Sequence, residues 1–186
     1  MFSDPGFTDT VNIRLATEQD RSDIERVYMS TFPKDENVVV AKLAIDLLSD
    51  NTAIQTLSLV AEADGSVVGH VAFSPVMLGS KKSCLAYILA PLAVQSDYQK
   101  RGIGSEITEY GLQQLLAKGV NVVFVYGDPN YYGRFGFNTE VARNYTVPYR
   151  LQYPSGWQAV TLNEYALENA PAVINCVTAL CDPKLW

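Results

Sequence analysis

The chain has 186 residues, 48% of them hydrophobic and 18% charged, a balance that supports one packed globular domain and excludes a disordered chain. With 20 acidic and 14 basic residues its net charge is −6, so a broad nucleic-acid-binding surface is not expected. No stretch approaches the ~20 apolar residues of a membrane span, and residues 1–10 are interpreted as a tail that lacks the features of a signal peptide. We therefore expect a non-membrane protein with a single domain over residues 11–186.

The three cysteines are an odd number without a close pairing motif. They are Cys84, Cys176 and Cys181. This usage predicts neither a disulfide framework nor a metal site, and it fits a reducing, cytoplasmic environment best.

The N-terminal part is predicted to form a strand, two helices and a hairpin. Alternating residues over 11–16 predict a half-buried strand, and Thr17 is a suitable N-cap for a helix that Pro33 ends. A second helical pattern covers residues 37–48. Asp64 and Gly65 lie between two β-rich runs, 57–63 and 67–73, which is a strong indication of a hairpin.

The middle of the chain is predicted to form a parallel crossover. After a turn over residues 79–83, residues 84–94 are almost wholly apolar, which is typical of a strand covered on both faces. A helix is predicted over 104–118, ended by Gly119, and a second buried strand over 120–126. Such a unit closes with parallel strands, so the predicted fold class is α/β with a mixed sheet. Weaker patterns predict a short helix over 129–135 and short strands over 145–149 and 158–162.

The polar turn between the first apolar strand and its helix has the features of an anion-binding site. A helix start exposes N–H groups that lack an intrahelical partner, and glycines let a phosphate approach the backbone. Here Gly102 and Gly104 stand at that start, beside Lys100 and Arg101. In an acidic protein this basic pair indicates a phosphorylated ligand. The alternative is an ordinary glycine-containing turn with surface cations.

The spacing of this turn resembles the coenzyme A loop of the GCN5-related N-acetyltransferase (GNAT) family. A Rossmann loop would have a third glycine, and a Walker loop would have a lysine and hydroxyl pair; neither is present. The family pattern is Gln or Arg, two residues, Gly, one residue, Gly or Ala, and it is matched by Gln99, Gly102 and Gly104. The resemblance covers roughly residues 13–137 and is strongest to a bacterial branch of predicted acetyltransferases. Ser96 departs from the proline that the family commonly has there.

The resemblance implies a mixed, centrally splayed sheet flanked by helices on both faces, with acetyl-CoA as cosubstrate and no metal. It also implies that the strand before the loop binds pantetheine and that loop N–H groups bind the pyrophosphate. The residues so implied are Leu92, Ala93, Val94, Gln99, Lys100, Arg101, Gly102, Ile103, Gly104 and Ser105. Pro91 fits an interruption of strand pairing at the splayed site, and an edge position would fit it equally.

Residues 127–137 resemble the family's second motif, a tyrosine followed by three residues and Gly-Phe, with Tyr132 at the tyrosine position. The resemblance implies that this hydroxyl protonates the departing thiolate, because a phenol with a pKa of ~10 remains a proton donor at neutral pH. Simple packing is the alternative for Tyr132, and Tyr131 is the neighbour that would substitute.

No general base is evident in the sequence. The strand before the loop has no Asp or Glu between Cys84 and Val94. His70 and Glu62 lie on predicted hairpin strands, where a structural or surface role competes with a role as base. Cys84 has no evident histidine partner, so direct transfer is expected rather than a covalent route.

The sequence thus predicts an acetyl-CoA-dependent N-acetyltransferase acting on an amine of a small molecule or protein. The resemblance places the acceptor near the first two helices and the C-terminal tail, with Tyr28, Phe32, Glu36 and the aromatic-rich residues 145–157 as candidate contacts. Two alternatives stay open: an acyltransferase with another donor or acceptor, and a coenzyme A-binding sensor without turnover. A homodimer is expected through the apolar stretch 170–180.

Overall fold

The computed structural model describes residues 10–50, 54–79, 81–147, 149–163 and 172–186. Nearly all of the predicted tail over 1–10 and the first part of the apolar stretch 170–180 therefore lie outside the described residues. Within the described residues no helix is both long and apolar enough to cross a membrane.

The strands of the described residues form one mixed sheet with a short extension. The main order is β1-β2-β3-β4-β5-β7, and β8 pairs with the end of β3 and with β6. The strands are β1 (Asn12–Leu15), β2 (Leu57–Ala63), β3 (Ser66–Leu78), β4 (Lys81–Val94), β5 (Val122–Tyr126), β6 (Tyr145–Thr146), β7 (Trp157–Thr161) and β8 (Ala172–Cys176). In the main order β4 and β5 are parallel and the other neighbours antiparallel, which confirms the predicted mixed sheet.

The helices cover both faces of the sheet. They are α1 (Arg21–Thr31), α2 (Asn37–Leu48), α3 (Ile103–Ala117) and the short α4 (Pro129–Tyr132) and α5 (Thr139–Ala142). Because side chains alternate along a strand, Leu59 of β2 packs towards α3, whereas Val60 packs towards α1 and α2. On the side of α2, a further buried apolar cluster contains Leu43 and Leu47 of α2 together with Trp157 and Trp186 from the C-terminal part.

The hairpin prediction is confirmed by the backbone. Asp64 and Gly65 have φ of 52° and 73°, as the two central residues of a type I′ turn require. The predicted return strand ended too early, at residue 73, and the predicted turn over 79–83 was too long. In the structure β3 continues to Leu78, and β4 begins at Lys81. The extra length is held by pairing on both sides, since Val76 faces Ala86 of β4 and Cys176 of β8.

Candidate active site

The sheet opens between β4 and β5 where β4 is bulged. Val71 of β3 pairs with Leu92, but Phe73 pairs with Leu89, so Ala90 and Pro91 together face one residue of β3. The Ala90–Pro91 peptide bond is cis. On the other side, pairing of β4 with β5 ends at Leu89 opposite Val125. Pro91 is therefore in a bulge rather than at a sheet edge, and the splay implied by the resemblance is confirmed.

Two adjoining pockets follow this opening. The first, called here the central pocket, has a volume of about 770 Å³ and is lined by β4 from Ile88 to Leu92, the end of β5 and Tyr132. The second, the loop pocket, has about 510 Å³ and is lined by Val94, the start of α3 and Tyr131. Phe32 and Leu92 line both pockets, so the two pockets adjoin at these side chains.

The loop before α3 has the backbone of an anion-binding turn. Lys100 and Gly102 have positive φ of 61° and 89°. The N–H groups of Ser105 and Glu106 both donate to the carbonyl of Gly102, at 2.9 and 3.0 Å, and so begin the helix. The N–H groups of Ile103 and Gly104, which precede these bonds, have no partner inside the helix, and both residues line the loop pocket.

Gln99 holds this loop against β4. Its side-chain amide donates to the carbonyl of Val94 at 2.9 Å, and its backbone N–H donates to the carbonyl of Ser96 at 3.3 Å. Thr31 at the end of α1 also donates to the Val94 carbonyl, at 3.3 Å. The Gln99 side chain therefore shapes the turn in this structure. The backbone N–H of Gln99, which was predicted to contact the coenzyme, already donates to the Ser96 carbonyl, so the two acceptors would compete for it.

Most of the predicted coenzyme-binding residues line the loop pocket. They are Leu92, Val94, Gln99, Lys100, Gly102, Ile103, Gly104 and Ser105. The side chain of Ile103 is buried in the core, so its part in the site is its backbone. Ala93 and Arg101 line neither pocket: Ala93 packs towards α1, and the Arg101 guanidinium lies 5.1 Å from the centre of the Tyr98 ring. The sequence analysis missed Tyr98 and Arg134, which also line the loop pocket.

The two adjacent tyrosines face different pockets. Tyr132 lines the central pocket, and burial raises the pKa of its hydroxyl well above the usual ~10, so that it stays protonated at neutral pH. Tyr131 lines the loop pocket; burial raises the pKa of its hydroxyl, and hydrogen bonds with Thr108 and Ser105 oppose the rise. Both rings are positioned by the cap of α4, where Oδ1 of Asp128 accepts from the N–H of Asn130 at 2.9 Å.

Tyr28 does not line either pocket, which corrects its predicted role as an acceptor contact. Its side chain has no exposed surface, and its hydroxyl is 2.8 Å from Nδ1 of His70. Nε2 of His70 is in turn 2.8 Å from Oγ of Ser58. Phe32, a second predicted contact, does line both pockets.

The remaining candidate bases lie outside the pockets. Burial lowers the pKa of His70 to about 3, so this enclosed ring is neutral and structural. Glu62 pairs with Arg14 at 2.6 Å, and hydrogen bonds from Arg14 lower the pKa of this carboxyl. Cys84 is buried and lines neither pocket. Among the described residues, no cluster of three or more His, Cys, Asp or Glu is placed to hold a metal ion.

Three carboxylates line the central pocket, and of these the sequence predicted only Glu36 as an acceptor contact. Asp35 and Glu36 precede α2, and Asp128 follows β5; all three line the central pocket. Lys184, close to the C-terminal end, is the one basic side chain in that lining. A splayed sheet, a glycine-containing helix start and a protonated tyrosine in the opening together fit an acyltransferase.

Comparison with known proteins agrees with this class. The model of the acetyltransferase (GNAT) family matches residues 21–137, and the chain belongs to this family. It is 34% identical over 172 residues to the N-acetyltransferase YhbS of Escherichia coli, covering 91% of this chain and 94% of YhbS. It is also 34% identical over 152 residues to YjhQ of the same species, covering 80% of this chain and 82% of YjhQ.

Solved structures show the same architecture. The crystal structure of E. coli YhbS in complex with CoA superimposes with a TM-score of 0.81 at 29% identity, covering 96% of this chain and 95% of that one. A GNAT acetyltransferase from Brucella melitensis in complex with acetyl-CoA gives a TM-score of 0.65 at 29% identity, covering 83% and 90%.

Proposed function

We propose that this protein is an acetyl-CoA-dependent N-acetyltransferase that passes an acetyl group directly from coenzyme A to an amine. The observation that carries the proposal is that the two pockets adjoin at the opening of the sheet. The loop pocket meets the central pocket at Phe32 and Leu92, and Tyr132 lines the central one. The complexes of the YhbS and Brucella proteins with CoA and acetyl-CoA support the choice of cosubstrate.

We assign the coenzyme to the loop pocket and the adjoining strand. The first N–H groups of α3, around Gly102, bind the pyrophosphate, where the helix macrodipole favours negative charge. Lys100 adds positive charge at the same pocket. Past the bulge, β4 is no longer paired with β5, so backbone groups of Leu92 and the N–H of Val94 are available for the pantetheine arm, while the Val94 carbonyl already accepts from Gln99 and Thr31.

The chemistry assigned to the chain's own residues is proton transfer and charge stabilisation. Acetyl-CoA supplies the acetyl group as a thioester. Backbone groups at the β4 bulge polarise its carbonyl, the N–C bond forms as the C–S bond breaks, and the Tyr132 hydroxyl gives its proton to the sulfur. The proton that the neutral amine loses as the N–C bond forms returns Tyr132 to its protonated state.

A melting experiment tests the coenzyme site. Saturating acetyl-CoA should raise the midpoint of wild type by roughly 5–10 °C, because a ligand that binds only the folded state stabilises it. Gly102→Asp should lose this rise, since its carboxylate would face the pyrophosphate. Gly65→Asp is the matched control: Gly65 also has positive φ (73°) and open space around it, but it lies in the β2–β3 hairpin. An equal rise in both variants would contradict the assignment.

Turnover separates the enzyme from its alternatives. A transferase releases free thiol only when an amine is present, whereas a coenzyme A sensor would show the melting shift without thiol release. Propionyl- and succinyl-CoA, offered in competition with acetyl-CoA, test the acyl-chain preference. Faster transfer from a longer donor would replace the acetyl assignment and leave the acyltransferase class in place.

We also propose a cytoplasmic location and a homodimer. The location is supported by the cysteine usage of the sequence. The dimer is supported by two exposed apolar side chains on the same face where β3 meets β8, Met77 (66% exposed) and Val173 (49% exposed). Met77→Lys should shift the mass measured by light scattering from dimer to monomer. A monomeric wild type would contradict the dimer.

A further inference from the structure

The central pocket has room for more than the reacting ends of two substrates. Its volume of about 770 Å³ lies in the range of roughly 300–1,000 Å³ found for small-molecule sites. The wall away from β4 has an apolar part beside its charged groups. The apolar part is formed by Phe32 after α1, by Val39 and Leu43 of α2, and by Leu180 and Trp186 of the C-terminal segment. An acceptor bound here loses water from a substantial apolar surface, which favours a hydrophobic body.

The charged groups of the same pocket are strongly unequal. Asp35, Glu36 and Asp128 contribute three carboxylates, and Lys184 contributes the one ammonium group of the described lining. Asp128 and Tyr132 are joined by the backbone of α4, since the Tyr132 N–H donates to the Asp128 carbonyl at 3.0 Å. Asp128, which carries one of the carboxylates, therefore lies one helical turn from Tyr132, the residue assigned to protonate the sulfur.

We propose that the acceptor is a primary amine carried on an apolar, ring-sized body that bears no carboxylate. This inference rests on the proposed function and specifies the acceptor that the same site takes. The ammonium form is attracted by the carboxylates, while the body is buried against Phe32, Leu43 and Trp186. An amino acid with the same body would bring its own carboxylate into this negative field, and a short polyamine would leave the apolar wall unused.

The proton balance is compatible with binding of the cation. The bound ammonium gives one proton to water at the carboxylate side, and the neutral amine then attacks. The nitrogen loses a second proton as the N–C bond forms, which returns Tyr132 to its protonated state after it has protonated the sulfur. One proton is released overall for each amide and free thiol formed.

A panel of acceptors tests the inference at fixed, saturating acetyl-CoA, with thiol release as the readout. The panel is 2-phenylethylamine, phenylalanine, 1,4-diaminobutane and a short peptide with one internal lysine. We expect 2-phenylethylamine to have the highest kcat/KM, at least tenfold above phenylalanine, from which it differs by the carboxylate. A preference for phenylalanine, the diamine or the peptide overturns the inference and leaves the N-acetyltransferase standing. Absence of transfer to every amine, with acetyl-CoA bound, overturns both.

Charge-neutralising variants connect the preference to named side chains. Glu36→Gln and Asp128→Asn should each raise KM for 2-phenylethylamine about threefold to tenfold, as expected for partly screened ion pairs. Asn at position 128 keeps an oxygen for the cap of α4, so the helix start is retained. Lys184→Gln should act in the opposite sense and lower KM for this amine.

The matched control is Glu109→Gln, since Glu109 is exposed on α3 and lines neither pocket. It should leave KM for 2-phenylethylamine unchanged, and all four variants should keep the wild-type melting shift with acetyl-CoA. Unchanged KM in both Glu36→Gln and Asp128→Asn would remove the carboxylates from amine recognition. A KM that rises in Lys184→Gln alone would reverse the predicted sign of the charge preference.

Discussion

The two glycines at the start of α3 are required for different reasons. Gly102 has a φ of 89°, and a Cβ there would meet only the Glu106 carboxylate at 3.5 Å, so its requirement is conformational. Gly104 has no unusual φ, but a Cβ there would lie 2.7 Å from the hydroxyl of Tyr131. The family spacing therefore combines one glycine for the turn with one that admits a side chain from α4.

A double-mutant cycle distinguishes these two roles. Gly104→Ala should lower the free energy of unfolding by about 1–3 kcal/mol through overpacking. Combined with Tyr131→Phe, most of this loss should disappear, because the next ring atom is 3.8 Å from the added Cβ. Gly102→Ala should lower the free energy of unfolding by about 1–2 kcal/mol with or without Tyr131→Phe, since its effect comes from the left-handed backbone conformation. Denaturant melts measure the free energy of unfolding of each single and double variant. If both glycine substitutions were coupled equally to Tyr131→Phe, the two glycines would not have different roles.

Tyr132→Phe tests the proposed proton donor. We expect kcat to fall about 10²–10⁴-fold, the usual contribution of a general acid, while the melting shift with acetyl-CoA is retained. Tyr131→Phe is the control: its hydroxyl contacts α3 at the loop pocket, so it should change KM for acetyl-CoA more than kcat. A small kcat effect in Tyr132→Phe would leave this residue with a packing role.

The pH profile gives a second test of the same residue. Burial raises the pKa of Tyr132, so the donor is fully protonated at neutral pH and is lost only as pH rises above the usual ~10. Any fall of kcat below that range should therefore persist in Tyr132→Phe. A limb near neutral pH that vanishes in the variant would contradict the protonated phenol.

Motif spacing located most of the candidate site but not every side-chain direction. Gln99, Gly102, Gly104 and Tyr132 follow from local patterns, because each sits at a fixed offset in a turn. Tyr28 was misplaced for a physical reason: an apolar stripe on a helix indicates which face is buried but not whether a core or a pocket covers it. Arg134 lies inside the second motif, close to Tyr131 in sequence, and this position could have predicted that it lines the pocket.

At the scale of elements, the β4 bulge and the buried contacts behind it position the site. His70 on β3 pairs with Ala93, the residue between Leu92 and Val94. Its ring joins α1 and β2 through Tyr28 and Ser58, each at 2.8 Å. This enclosed contact fixes α1, and so Thr31 and Phe32 at the pockets, against the strand that we assign to pantetheine.

The same histidine predicts how stability depends on pH. Its pKa is about 3 in the folded protein and about 6.5 when unfolded, so the unfolded chain binds the extra proton between these values. Stability should be fully present above pH ~6.5 and fall by up to about 1.4 kcal/mol per unit as pH drops towards 4.5. Most carboxylates titrate below that window. His70→Gln should flatten this slope in denaturant melts, and an unchanged slope would contradict the neutral ring.

Element bounds followed from sequence where local chemistry sets them. The Asp64-Gly65 turn and the second helix are examples, since turn residues and helical spacing are local signals. The length of β3 and the position of β8 were not predicted, because both depend on pairing between segments far apart in the chain, as between Met77 and Asn175. The bulge was one of two outcomes that Pro91 allowed, and only the pairing of its neighbours decides between them.

At the scale of the whole molecule, strand β7 of the C-terminal part extends the main sheet. β7 pairs with β5 in antiparallel register, and the ring of Trp157 stacks on that of Phe124 with 5.2 Å between the ring centres. The centres of the Trp186 and Trp157 rings are 6.2 Å apart, and Trp186 also lines the central pocket. Leu43, Leu180 and Trp186 of the proposed acceptor wall therefore belong to the same apolar cluster as residues of β4 and β5.

This arrangement predicts that residues 11–186 unfold as one cooperative domain. The only tryptophans, Trp157 and Trp186, report on the C-terminal part, whereas far-ultraviolet circular dichroism reports on all helices and strands. In urea the two signals should give coincident midpoints and slopes, as two-state unfolding requires. Val173→Asp, at the exposed side of β8, should move both midpoints together if it moves either. A tryptophan transition at lower urea than the dichroism transition would instead show that the C-terminal part is a separate unit, and the acceptor wall would then be able to open without loss of the coenzyme loop.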